Sequence, residues 1–216
     1  MPRKIPYRPR SNGWRKSNIA LVLFIALLAC SSSGASPSEN SAISSLRLKP
    51  ISLNEHVMRH DVRTMVSLAN RFYYDDIHDN DHKLAALWYK KAAQLGDSYA
   101  QFSLGYMLVR GDGLPRNLTQ AQIWFNKAAA HGNSLAQYAL GDMYFYGQGQ
   151  QRDPVKAAKW YRQAADQGHS FAQYSLGFML KRGEGVLKNI DEARQWLERS
   201  AESGNYAAQT SLGYLF

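Results

Sequence analysis

Six acidic and imidazole side chains crowd into one short stretch: Asp75, Asp76, His78, Asp79, Asp81 and His82. His78 and His82 are four residues apart, a spacing that puts two ligands on one helix face, and the neighbouring carboxylates supply hard oxygen donors. A calcium loop also needs a central glycine and a closing glutamate. Both are missing, so the stretch reads as a solvated turn and not as a metal site. His56 and His60 repeat the four-residue spacing with no third ligand nearby. His131 and His169 fall in turns, in different columns of the repeat described below, which argues against a repeated role. Three Gly-x-Gly pairs have no strand before them and no Lys-Ser/Thr after them, so they are not phosphate loops. No Ser/His/Asp or paired-carboxylate arrangement stands out. The expectation is a protein without metal or cofactor that is not an enzyme.

One reactive group remains, the thiol of Cys30. A single cysteine excludes an intrachain disulfide and any zinc site built on several thiolates. It ends an unusual segment. Arg3, Lys4, Arg8, Arg10, Arg15 and Lys16 come first, with no acidic residue before Cys30. An apolar run of eleven residues follows, Ile19 to Ala29. That is the length of a signal-peptide core, well short of the roughly 18 apolar residues of a membrane span. Leu27-Leu28-Ala29-Cys30 resembles the bacterial lipoprotein signal. The resemblance implies that Cys30 takes a diacylglyceryl group on sulfur and becomes the acylated mature N-terminus. Two or more chains anchor stably where one binds only marginally. The alternatives are ordinary secretory cleavage at Ala29 or Ala35 and an uncleaved anchor. Ser31 to Ser45 is Ser-rich and nearly free of large apolar residues, so it cannot bury enough surface to fold. A tether of about 20 such residues spans roughly 25 Å.

The same leader explains the charge. The chain is formally +9, but the six leader cations account for most of it. The remainder has 20 basic against 17 acidic residues, a net of +3. Spread along an elongated array, +3 predicts no strong polyanion binding, and nucleic acid is not expected as a partner.

The rest of the chain repeats every 36 residues without a gap. Trp88, Trp124, Trp160 and Trp196 share a column. Leu68, Leu104, Leu140, Leu176 and Leu212 share another, followed by Ala69, Gly105, Gly141, Gly177 and Gly213. Each row decodes as two helices. In the first, Ala100, Leu104, Met107 and Leu108 lie on one face. Gly105 sits inside that helix, where glycine costs about 1 kcal/mol relative to alanine; close approach of a neighbouring helix is the simplest cause. The Gly-x-Gly pair ends it. Asp81, Asn117, Asp153 and Asn189 precede the second helix at N-cap positions, and Pro154 fits a first turn. The second helix carries Ala-x-x-Trp, with each Trp expected to fill the space between hairpins. No hairpin can bury its apolar face alone, so stacking must build a continuous core.

These rows are similar to the Sel-1-like repeat, a relative of the tetratricopeptide repeat, over residues 64–216. The resemblance implies an all-α fold, a right-handed α-solenoid of tandem hairpins. The expected layout is a signal peptide (1–29), tether (30–51), capping helix (52–63) with Ser52 and Glu55 as a capping box, and a degenerate repeat (64–98). Repeats at 99–134, 135–170 and 171–206 follow, then a partial repeat at 207–216. Tetratricopeptide arrays line their concave face with first helices. Carried over, the partner-binding columns here are Tyr99, Leu135 and Phe171; Phe102, Tyr138 and Tyr174; Tyr106, Asp142, Phe178 and Tyr214; and Val109, Phe145 and Lys181. Arg110, Tyr146 and Arg182 flank them. Tyr, Phe and Arg are favoured interface anchors, although Phe102, Tyr138 and Tyr174 also suit packing between hairpins. Leu104, Gly105 and the four tryptophans are structural.

The expected function is a lipid-anchored, exported scaffold on the outer membrane or facing the periplasm of a Gram-negative cell, holding a protein partner on its aromatic concave face. A secreted soluble form is the alternative localisation. Peptidoglycan or an exported polysaccharide is the alternative ligand, since aromatic rows also stack on sugars. Some cysteine-rich members of the family are associated with β-lactam binding or hydrolysis, but their repeats are stapled by disulfides that this array lacks.

Overall fold

Seven successive helices are thirteen residues long because the same cap residues recur at their ends from row to row. In the computed structural model, which describes residues 62–74 and 81–213, the helices are α1 (Val62–Tyr74), α2 (His82–Gln94), α3 (Ser98–Arg110), α4 (Leu118–Ala130), α5 (Ser134–Tyr146), α6 (Pro154–Asp166), α7 (Ser170–Arg182) and α8 (Ile190–Glu202), followed by a shorter α9 (Tyr206–Gly213). No strand occurs among the described residues. All belong to one unit within residues 54–216. The leader, Cys30, the tether, the 52–60 helix with Ser52 and Glu55, His78 and Tyr214 lie outside the described residues. α1 runs across the expected boundary at residue 63/64.

Asp81, Asn117, Asp153 and Asn189 each accept a backbone N–H at the start of α2, α4, α6 and α8, and Pro154 opens α6. First helices have their own cap column: Asp97, Asn133, His169 and Asn205 accept from the residue three positions on. His169 therefore does share a repeated role, contrary to the sequence-based expectation. Its imidazole Nδ1 takes the place of a carboxylate or amide oxygen, 3.2 Å from the Ala172 amide nitrogen. At the other end of α5, Gly147 adopts φ +67° and closes the helix with an N–H to the Met143 carbonyl.

Paired helices of a hairpin make the most extensive contacts, and each second helix then packs on the next first helix. The glycine after the leucine column shows how close the pairing is. A Cβ on Gly141 would stand 2.5 Å from the Tyr161 ring, and one on Gly105 would stand 2.7 Å from Phe125. The cost of a helical glycine is thus offset by a side chain seated directly on the backbone. That side chain is not the tryptophan. Tyr89, Phe125, Tyr161 and Leu197, one position after each Trp, are at most 2% exposed. Trp88 and Trp196 are buried, but Trp124 and Trp160 only half so. Buried or not, three of these rings carry a cation on one face: Lys91 over Trp88, Lys127 over Trp124 and Arg199 over Trp196.

A glutamine column, buried at Gln101 and Gln173 and exposed at Gln209, adds a polar tie between hairpins. Gln101, Gln173 and Gln209 donate to the carbonyls of Ala93, Ala165 and Ala201, late in the preceding second helix. These carbonyls lie at a helix end where intrahelical partners run out.

The core is not one uninterrupted mass. One buried cluster extends from Met65 to Met143 and another from Ala157 to Trp196. α5 joins them, giving Leu140 and Met143 to the first while Tyr138, Tyr144 and Phe145 pack on the second. Asp142 lies on this helix, so a carboxylate sits where the two clusters meet.

Candidate partner-binding face

The residues read as partner-facing are nearly all on first helices and nearly all half-buried: Tyr99, Phe102, Tyr106, Val109, Leu135, Tyr138, Asp142, Phe145, Tyr174, Phe178 and Lys181. Arg110, Tyr146, Phe171 and Arg182 are exposed. The half-buried rings are held by one another. Phe102 packs on Phe125 at 5.8 Å between centroids and on Tyr106 at 6.1 Å. Tyr138 stacks on His169 at 4.8 Å and contacts Tyr161 at 5.7 Å. The Phe102 and Tyr138 rings thus serve packing as well as surface.

The structure brings four of these residues around one open cleft. Phe145, Tyr146, Tyr174 and Phe178, with Tyr161, Ser175 and Met179, line about 140 Å³ between α5 and α7. Tyr146 stands edge-on to Phe145 at 5.0 Å and remains 65% exposed. Such a ring is fixed by a neighbour on one side and open to solvent on the other, as an interface anchor requires.

Three guanidiniums lie over rings of this face. Arg110 covers Tyr106 at 5.6 Å, Arg152 covers Phe145 at 5.5 Å and Arg182 covers Phe178 at 4.7 Å. Arg152 was not singled out from sequence because it belongs to the loop after the glycine pair, not to a first-helix column. Arg110 is also bound to Asp112 at 2.7 Å, and Arg152 to Glu184.

Asp142 is oriented inward. Its carboxylate accepts the Tyr161 hydroxyl at 2.7 Å, and burial pushes its carboxyl up to about 6 against the lowering effect of hydroxyls from Tyr161 and Tyr138. The same pairing recurs two rows earlier, where the Tyr89 hydroxyl donates to Asn70 at 2.5 Å. In the intervening row the equivalent positions hold Tyr106 and Phe125, and in the last Phe178 and Leu197, so tyrosine occurs at this second-helix position in the two rows where Asn or Asp stands on the first. Burial also holds the His169 imidazole below its usual range. Among the described residues no group of three or more metal-ligating side chains occurs.

Comparison with known proteins agrees with this geometry. A Sel1 repeat matches four times, at residues 64–97, 98–133, 134–169 and 170–205. No curated protein matches the sequence significantly. Among solved structures, the chain is similar to a protective antigen of uropathogenic Escherichia coli displaying an SLR fold, with 33% identity and a TM-score of 0.71. The match covers 75% of this chain and 35% of that one, so the chain spans about a third of the antigen's length. It is also similar to a Sel1 repeat protein from Oxalobacter formigenes, at 31% identity and TM-score 0.68 over 79% of this chain and 67% of the other. Helicobacter pylori cysteine-rich protein B shares 26% identity at TM-score 0.50, over 62% and 96% of the two chains. Four contiguous repeats, the solenoid of hairpins and these neighbours agree: the chain belongs to the Sel1 repeat family.

Proposed function

We propose that this protein is an exported, lipid-anchored scaffold of the Gram-negative cell envelope that holds a protein partner on its first-helix aromatic face. Sel1 repeat arrays generally mediate protein–protein interactions, and the array here leaves its aromatic cleft unfilled by its own side chains. The carrying observation is that cleft, with Phe145 and Phe178 packed in place and Tyr146 projecting beside them. Rigid aromatic anchors of this kind lose little side-chain entropy on binding. The anchor rests on the apolar run ending at Cys30 and the Ser-rich stretch after it. No helix among the described residues is long and apolar enough to cross a membrane.

Two measurements test the reading. Mass spectrometry of the mature N-terminus is expected to find diacylated or triacylated Cys30; an unmodified start at Ser31 or later overturns the anchor. Aromatic rings also stack on sugars, so purified sacculi provide the competing ligand. Retention on sacculi that is lost in Tyr106→Ala/Tyr138→Ala would favour a glycan over a protein.

A further inference from the structure

We infer that the α5–α7 cleft takes an apolar or aromatic side chain from an acidic segment of the partner, whose carboxylate pairs with Arg182. The inference rests on the scaffold reading and specifies its ligand chemistry. Size comes first. A space of about 140 Å³ is close to the apolar cavity of about 150 Å³ that accepts a benzene ring. It therefore suits one anchor side chain and not an extended row of sugars. Its walls are mostly aromatic, with two phenylalanines, three tyrosines and Met179 against a single Ser175, and they reward a largely apolar occupant.

Charge fixes what accompanies that anchor. Of the three guanidiniums over rings of this face, two already have carboxylates. Asp112 takes Arg110 and also accepts the Tyr73 hydroxyl at 2.9 Å. Glu184 sits in the glycine pair right after Arg182, yet it reaches back to Arg152. Arg182 is left exposed over Phe178, a wall of the cleft, with no carboxylate partner among the described residues. Asp142, on the neighbouring helix, is engaged by Tyr161. Next to the cleft, over one of its walls, Arg182 thus stands as a cation with no carboxylate partner among the described residues. A basic segment would meet repulsion there, and a neutral one would leave the guanidinium unpaired.

The test is selection of a random twelve-residue peptide library on the folded protein, followed by titration of the enriched peptide. We expect a large apolar or aromatic residue with Asp or Glu within two positions of it. Arg182→Gln should weaken that peptide about fivefold, the scale of an exposed ion pair. Replacing the peptide's acid by its amide should weaken it equally, with no further loss in the Arg182→Gln protein. Tyr146→Ala should weaken both forms. Peptides that bind without an acid, or that ignore Arg182→Gln, overturn this inference and leave the scaffold reading standing. Failure to enrich any peptide, with retention on sacculi instead, overturns both.

Discussion

Replacing Asp142 by asparagine should make the protein more stable at neutral pH, although it removes a charged hydrogen-bond acceptor. Burial raises this carboxyl to about 6, whereas an aspartate in the unfolded chain titrates near 4. Between those values the native state binds more protons than the unfolded state, so stability falls as pH rises through the window. At 1.36 kcal/mol for each pKa step, the full linkage is about 3 kcal/mol. Asparagine carries no charge to desolvate and still offers Oδ1 to the Tyr161 hydroxyl, as Asn70 does to Tyr89. Asp142→Asn is therefore expected to gain about 2 kcal/mol at pH 7, shrinking toward zero near pH 4. Urea unfolding of both proteins at matched pH, followed by tryptophan fluorescence and circular dichroism together, reads the difference. Taking the difference also cancels Glu192 and Asp153, whose lowered carboxyl pKa values give the opposite pH dependence. A variant less stable at pH 7, or a difference that does not change with pH, would refute the reasoning.

His169 carries the opposite sign. Its Nδ1 accepts the Ala172 N–H only when unprotonated, and burial holds its pKa below the usual value, so the native state binds fewer protons and stability is lost as pH falls below about 6.5. His169→Asn keeps a cap of the kind Asn133 provides in α5. It should match the parent within about 1 kcal/mol at pH 7.5 and be the more stable at pH 5 by thermal melting; a variant weaker at pH 5 argues against the imidazole cap. Gly141→Ala gains about 1 kcal/mol of helix propensity but drives a methyl onto Tyr161 at 2.5 Å, an overpacking cost of about 1–3 kcal/mol. A net loss of about 1 kcal/mol in urea is expected, and a more stable variant would mean that the two helices can part freely.

Much of this architecture is legible in the sequence because the stacking residues keep their identity from row to row. The leucine column, the following glycine and the Asp/Asn caps before second helices each perform one job that few residue types can do. Positions filled by several types were obscured. Tyr89, Phe125, Tyr161 and Leu197 fill the same seat on the first helix, which admits aromatic and aliphatic side chains alike and takes tyrosine where Asn70 or Asp142 accepts its hydroxyl. The tryptophan beside them is uniform in type but uneven in burial, buried at Trp88 and Trp196 and half-buried at Trp124 and Trp160. Asp97, Asn133, His169 and Asn205 all cap, yet the imidazole among them disguised the column. Asp142 was read by its place on the first-helix face, and its neighbours Tyr106 and Phe178 gave no sign that a carboxylate there would turn inward. The signal was the tyrosine nineteen residues on, paired with Asp142 as Tyr89 is with Asn70. It becomes readable once the hairpin pairing is known. The cleft itself depends on the spacing of α5 and α7, which no single row encodes.

The central claim is that the first-helix aromatic face is where a protein partner sits. A photo-crosslinking phenylalanine placed at Tyr146, in the protein's native cells, tests it most directly, with Ile123 on α4 as the control because it is 51% exposed but on a second helix. Discrete protein adducts from position 146 that disappear with Phe178→Ala, and none from position 123, are predicted. Equal adducts from both positions, or only carbohydrate from position 146, would contradict it.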